Sequence, residues 1–318
     1  VTQIDPGNDN AHLAMTPKQT ALYFKHVIAI SAERALLSGL LYCQDSEPNV
    51  SRAMMIAEGR WYHLYDLEDI TQDCVRQSTR GICEREVYCL LGRQGMLRTH
   101  PSGQAFCDEQ LPLANSYLKA LRDIDGQLYA CGTQGQVLRR TPGGWVRMDQ
   151  GVYESMVDQV TSSLNALDGA AANDIYAAGD GGALWHWDGV EWTRLDSPTR
   201  LPLYVVHRHS DGLIYLAGSG GVLFRGSRHH GWADLSGSAF GHLVMARACE
   251  FQGTLYLACG SDLLCFANDV LSVVDVPLPG ALTFHGLGAC AEALWCVGNE
   301  GVLSFDGSQW RAHPCPEN

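Results

Sequence analysis

Along most of the chain, short apolar runs alternate with polar turns rich in glycine. The runs have strand length, and the turns carry Asp-Gly and Pro-Gly-Gly, residues that tolerate the positive φ of tight hairpins. The pattern also repeats. Leu128-Tyr-Ala-Cys-Gly-Thr-Gln-Gly135 matches Ile175-Tyr-Ala-Ala-Gly-Asp-Gly-Gly182 and Ile214-Tyr-Leu-Ala-Gly-Ser-Gly-Gly221. Leu255-Tyr-Leu-Ala-Cys-Gly-Ser-Asp262 and Leu294-Trp-Cys-Val-Gly-Asn-Glu-Gly301 continue the series, and Val87 to Gly95 is an earlier copy with one extra residue. The turn positions Gly95, Gly135, Gly182, Gly221, Asp262 and Gly301 are separated by 40, 47, 39, 41 and 39 residues.

Each repeat divides into four strands. In one of them these are 116–122, 127–131, 137–140 and 145–148, with Asp125-Gly126 and Pro142-Gly143-Gly144 as turns. A period of about 40 residues built from four short strands is the spacing of propeller blades. The expected fold is therefore all-β: a seven-bladed β-propeller of four-stranded antiparallel blades. Five blades are clear, near 116–149, 162–196, 201–236, 241–276 and 281–314. A sixth, near 73–111, is degraded. The first, near 25–67, is inferred from His26-Val-Ile-Ala-Ile, Arg34-Ala-Leu-Leu and Trp61-Tyr-His-Leu. Six blades with an unusual extension is the alternative count. Residues 1–24 are read as an N-terminal extension and 25–318 as a single propeller domain.

Composition fits this reading. Of 318 residues, 46% are hydrophobic and 18% charged, which supplies a core and excludes a disordered chain. The 34 glycines fall largely in the repeated turns. Trp145, Trp192, Trp232 and Trp310 each begin a fourth strand, where an aromatic packs between blades. The 12 cysteines contain no Cys-x-x-Cys pair. Cys89, Cys131, Cys259 and Cys296 fall in second strands where sister repeats carry Ala or Gly, so they read as small core residues. Cys290 and Cys296 are spaced to face each other across a hairpin, but with no secretory leader in view the expected compartment is the cytoplasm, with reduced thiols.

The segment Gly179 to Trp192, Gly-x-Gly-Gly-x-Leu-x-x-Trp-Asp-Gly-x-x-Trp, resembles bacterial propellers of the BNR-like repeat group, and Gly298 to Trp310 is a second match. Ser304-Phe-Asp306-Gly307-Ser-Gln-Trp310 departs from the sialidase Asp-box in having its Asp and Gly adjacent. The resemblance implies a propeller and says little about chemistry.

No catalytic constellation stands out. There is no nucleophile elbow, phosphate loop or HExxH. His207-Arg-His209 and His229-His230 lack the further ligands that a metal site needs. No cofactor and no metal are called for. The charge is more informative. A net charge of −13 argues against direct nucleic-acid binding, and no run is long enough to span a membrane. It points to a basic protein partner.

The second-to-third-strand turns and the connections between blades share one face of a propeller. Asp180 and Glu300 fall in such turns, and Asp66, Glu68, Asp69, Asp108, Glu109 and Asp149 in the connections. The longest connection adds Tyr153, Glu154, Met156 and Asp158, an acidic loop with apolar anchors. These twelve residues are the candidate partner-binding set. Isolated BNR-like propellers look like some immunity proteins found beside secreted toxins, so the resemblance implies a non-enzymatic immunity protein that binds and neutralises a toxin. A glycan hydrolase or lyase using an axial pocket, and an assembly scaffold, remain alternatives.

Overall fold

The fold, seen in a computed structural model, is a seven-bladed β-propeller. Residues 2–3, 20–43, 50–77, 86–101, 103–113, 116–153, 163–278, 282–299 and 301–317 are described. Seven antiparallel sheets follow one another along the sequence, each with its strands in chain order. The first blade holds Thr20–Ser31, Arg34–Cys43, Ser51–Ala57 and Arg60–Leu67. Thr2–Gln3 adds a short fifth strand to its edge, pairing with Tyr62 and His63. Blades two to five run from Thr71 to Gln110, Leu118 to Arg147, Leu164 to Arg194 and Leu203 to Asp234. Blades six and seven run from Arg247 to Val273 and from Gly286 to His313.

The chain forms two compact units. One comprises Val1–Thr71, Cys249–Cys265 and Ser272–Asn318; the other comprises Gln72–Ala248 and Phe266–Leu271. In the second unit, blade three shows how sequence becomes structure. Asp125 and Gly126 take φ of 56° and 81°. That is the left-handed pair a two-residue hairpin needs, and Asp and Gly reach it cheaply.

The glycine that ends the second strand has a different cause. At Gly179 the φ is extended, but a Cβ would sit 1.7 Å from the carbonyl oxygen of Ser163. Gly132 and Gly218 meet Tyr117 and Pro202 in the same way, each at 2.0 Å. In each case the following N–H donates to that same carbonyl: Thr133 to Tyr117, Asp180 to Ser163 and Ser219 to Pro202. Backbone touches backbone at the start of each of these blades, so no side chain fits.

The tryptophans pack as expected. In the second unit Trp192 is buried beside Met148, Val152, Leu164 and Leu167, and its Nε1 donates to the Met148 carbonyl at 2.7 Å. Trp232 meets Tyr176 edge-on at 6.2 Å. In the first unit Trp310 stacks on Phe305 of its own blade at 4.8 Å and packs against the cluster that holds Phe251 and Tyr256 of blade six. Cys89, Cys131, Cys259 and Cys296 are buried, and burial pushes the Cys131 thiol up to about 12. The hairpin pairing suggested for Cys290 is not formed. Cys296 lies opposite Leu287, and Cys290 lies past the paired residues with its Sγ against the Ala293 carbonyl.

First strands of the second unit are also tied by carboxylates, one buried and one partly buried. Asp73 Oδ2 accepts from Leu121 N at 2.9 Å and from Arg122 Nη1 at 2.7 Å. Asp168 Oδ2 accepts from Arg208 N at 2.8 Å.

Candidate partner-binding site

In the first unit, Asp66 lies on the strand Arg60–Leu67, opposite Arg52 on the neighbouring strand. The two form a bidentate pair with both contacts at 2.8 Å, and His63 Nε2 approaches Asp66 Oδ1 at 3.0 Å. Partial burial works to raise the Asp66 carboxyl, but the Arg52 and His63 contacts prevail and hold it well below the usual carboxylate range. Arg52 also donates to Glu317 at 2.8 Å. Glu68 is exposed at the bend that follows. Asp69 is buried, with its carboxylate accepting the Ile70 N–H at 2.7 Å.

In the second unit, Asp108 and Arg98 are a cross-strand pair with both contacts at 2.6 Å, and Arg98 lies over the Phe106 ring at 4.0 Å. Glu109 accepts from Arg140 and from Trp145 Nε1. Asp149 is buried, accepting from Arg147 at 2.9 Å and from Val137 N at 3.2 Å. Arg147 in turn covers the Tyr153 ring at 4.0 Å, so Asp149 and Tyr153 are joined through one guanidinium. Asp180 accepts from Asn165 at 2.9 Å, with Lys119 Nζ at 3.8 Å. Glu154, Met156, Asp158 and Glu300 lie outside the described residues.

Two expectations change. Asp66, Asp108 and Glu109 are on fourth strands, at the outer edges of their blades, and not in the connections between blades. The strands continue through these polar residues because arginines supply the counter-charge: Arg52 and Arg98 stand opposite Asp66 and Asp108, and Arg140 of the next blade meets Glu109. Second, among the described residues most of the candidate carboxylates are already paired, so they anchor local structure before they offer charge to a partner.

Exposed acids missed by the sequence reading lie on hairpin turns instead. In the second unit, Asp188 and Glu191 flank Val190, which is 83% exposed. In the first, Asp306 accepts from Ser308 N and Gln309 N, each at 2.8 Å, and these bonds bring its carboxyl down to about 2. The Asp-Gly dipeptides of these turns are their signal in the sequence.

His207 lies on the strand Leu203–Arg208 with His209 just past its end, and His229-His230 lies in a turn. His207 and His209 are 6.2 Å apart, and His209 Nδ1 lies 3.3 Å from Asp211. His230 Nδ1 instead meets Ser227 Oγ at 2.9 Å. Among the described residues, no group of three or more His, Cys, Asp and Glu is placed to hold a metal. No helix there is long and apolar enough to cross a membrane.

No family model matches the sequence. Over 222 residues, however, the chain is 30% identical to the immune protein Tsi7 of Pseudomonas aeruginosa strain PAO1, covering 65% of this chain and 72% of that protein. The chain belongs to the Tsi7 immune-protein family. Solved structures add the fold. The WD40 propeller domain of Doa1 aligns with a TM-score of 0.67 at 11% identity, over 90% of this chain and 92% of that one. YCF48 bound to D1 peptide aligns at 0.61 and 16%, over 92% and 95%. Virginiamycin B lyase of Staphylococcus aureus aligns at 0.61 and 10%, over 76% and 87%. At such identities these likenesses bear on architecture alone. The Tsi7 family likeness is the one that carries function.

Proposed function

We propose that this member of the Tsi7 family is an immunity protein that acts by binding a cognate toxin and occluding it, without catalysis, in the cytoplasm. The observation that carries the reading is the 30% identity with immune protein Tsi7, of which the chain covers 72%. The partner is proposed to be basic. The net charge of −13 supports this, as do the exposed Glu68, Asp188 and Glu191. An acidic surface speeds capture of a basic protein, with association rates up to about 10⁸–10⁹ M⁻¹s⁻¹ at low salt.

The lyase among the structural neighbours shares only the fold, so it does not favour an enzymatic reading. Co-expression is the test. A toxin gene adjacent to this one, expressed with and without this chain, should arrest growth only in its absence, and the two products should co-elute on size exclusion. A toxin that arrests growth equally in both cases, with no complex at micromolar concentration, refutes the reading.

A further inference from the structure

The first unit contains a cleft of about 820 Å³ that plays no part in the reading above. Its walls are the turns at Glu33 and at Glu58-Gly59, the start of the strand Arg60–Leu67, and the strand Trp310–His313 with the segment that follows. The two turns are pinned together, since Glu58 N donates to the Glu33 carbonyl at 3.1 Å. Trp61, Pro314 and Pro316 supply apolar surface. His313 contributes a flat floor, stacked on Trp295 at 4.7 Å and hydrogen-bonded to Ser304 Oγ at 2.8 Å. A smaller recess of about 170 Å³ continues the cleft past Glu33 and Arg311 to Trp310.

Two properties point to an occupant. Glu33, Glu58, Arg60 and Arg311 surround the cleft, and none of their side chains forms an ion pair or hydrogen bond with another described residue. Two exposed carboxylates and two exposed guanidinium groups around one cavity, not neutralising each other, are complementary to a ligand that carries both signs. A sheet edge also borders the cleft, at Ala312. Trp310–His313 is the last strand of its blade and, among the described residues, pairs only with Val302–Phe305. The turn bond from Asp306 N to Gln309 O sets the alternation, so Arg311 and His313 bond inward while Trp310 and Ala312 turn their N–H and C=O groups outward. The same unit shows what such an edge accepts: Thr2–Gln3 pairs with the outer strand of blade one as an added strand.

We infer that this cleft binds an extended peptide segment of a partner protein by strand addition to Trp310–His313. The segment carries an apolar side chain for the Trp61 surface, flanked by basic and acidic side chains for Glu33, Glu58, Arg60 and Arg311. This assignment stands apart from toxin neutralisation, because it rests on the edge and the charges of this unit alone.

A displayed library of random heptapeptides tests it directly. Panned against the full chain, it should enrich clones that carry an apolar residue between opposite charges. Synthetic peptides from those clones should bind Ala312→Pro, which lacks the edge donor, and the double variant Arg60→Ala/Arg311→Ala at least tenfold more weakly. Amide exchange at Trp310 and Ala312 in the unmodified chain should slow on peptide binding, a readout that does not depend on the folding of any variant. The inference is overturned if panning enriches nothing over an Ala312→Pro counter-screen. It is equally overturned if the peptides bind both variants unchanged, or if exchange at those two amides is unaffected.

Discussion

Asp73 is the residue whose loss the structure allows to be costed most directly. It lies on the first strand of blade two, 7% exposed at the side chain, and holds Leu121 N and Arg122 of the next blade's first strand. Replacing it with Ala removes three acceptor contacts at once, counting Cys74 N at 3.0 Å. The buried Leu121 N–H is left without a partner, which costs about 1–3 kcal/mol. The Arg122 guanidinium is left without its carboxylate. A fully buried broken pair costs about 3–5 kcal/mol, and solvent relieves part of that here because 25% of the Arg122 side chain is exposed. The expected sum for Asp73→Ala is about 3 kcal/mol. At about 2–4 °C per kcal/mol for a chain of this size class, the melting midpoint should fall by about 6–12 °C. Asp73→Asn keeps an acceptor and should cost about 1–2 kcal/mol. The double variant Asp73→Ala/Arg122→Met should be less destabilised than Asp73→Ala alone, since most of the penalty is the stranded charge. Thermal and urea melts followed by circular dichroism measure all three. A loss under about 1 kcal/mol for Asp73→Ala, or a double variant worse than the single one, would refute the clamp.

Other expectations follow from the same geometry. Burial lowers the pKa of His100, His186 and His285, and of His313 to about 4, so these rings take up a proton less readily folded than unfolded. The unfolded chain therefore binds more protons at these rings below about pH 6.5, and their contribution should leave stability level near pH 7 and lower it as pH drops from there toward 4. Melting midpoints across that range check it, and His313→Phe should flatten the slope. Trp192→Ala should cost about 3–5 kcal/mol, and Trp192→Phe less, with only part of the packing and the bond to Met148 lost. Asp149→Lys should lower the melting midpoint by several degrees through repulsion of Arg147, whereas Glu68→Lys should leave the midpoint unchanged. With a basic partner, Glu68→Lys should slow association and weaken its salt dependence; an unchanged rate by stopped flow would place the contact elsewhere.

The blade architecture was legible because its determinants are local. A two-residue turn needs Asp125-Gly126 or an equivalent, and the spacing of such turns counts blades without any knowledge of contacts. Blade one was harder to see because its first two strands are 12 and 10 residues long and lack the repeated motif; the first of them begins at Thr20. The binding surface was less legible for a different reason. Asp66 and Arg52 are 14 residues apart, and Glu109 and Arg140 are 31 apart. Which acids are neutralised depends on strand register and blade neighbours, and charge counted along a sequence contains neither. Likewise, the cleft beside Trp61 joins residues near 33, 60 and 312, which no linear motif brings together.

The contact between the second-strand glycine and the residue just ahead of the first strand lies wholly inside one blade. Each blade so locked re-establishes its own starting point, whatever the chain did on the way in. Insertions and deletions in the preceding connection therefore end at that lock and are not transmitted into the sheet. The spacing of 47 residues across the longest connection, against 39 to 41 elsewhere, is such an insertion, and the blade after it still opens on Leu164–Ala171 with its lock at Gly179. A lineage under pressure to match changing partners can rewrite these connections freely while the glycines stay fixed.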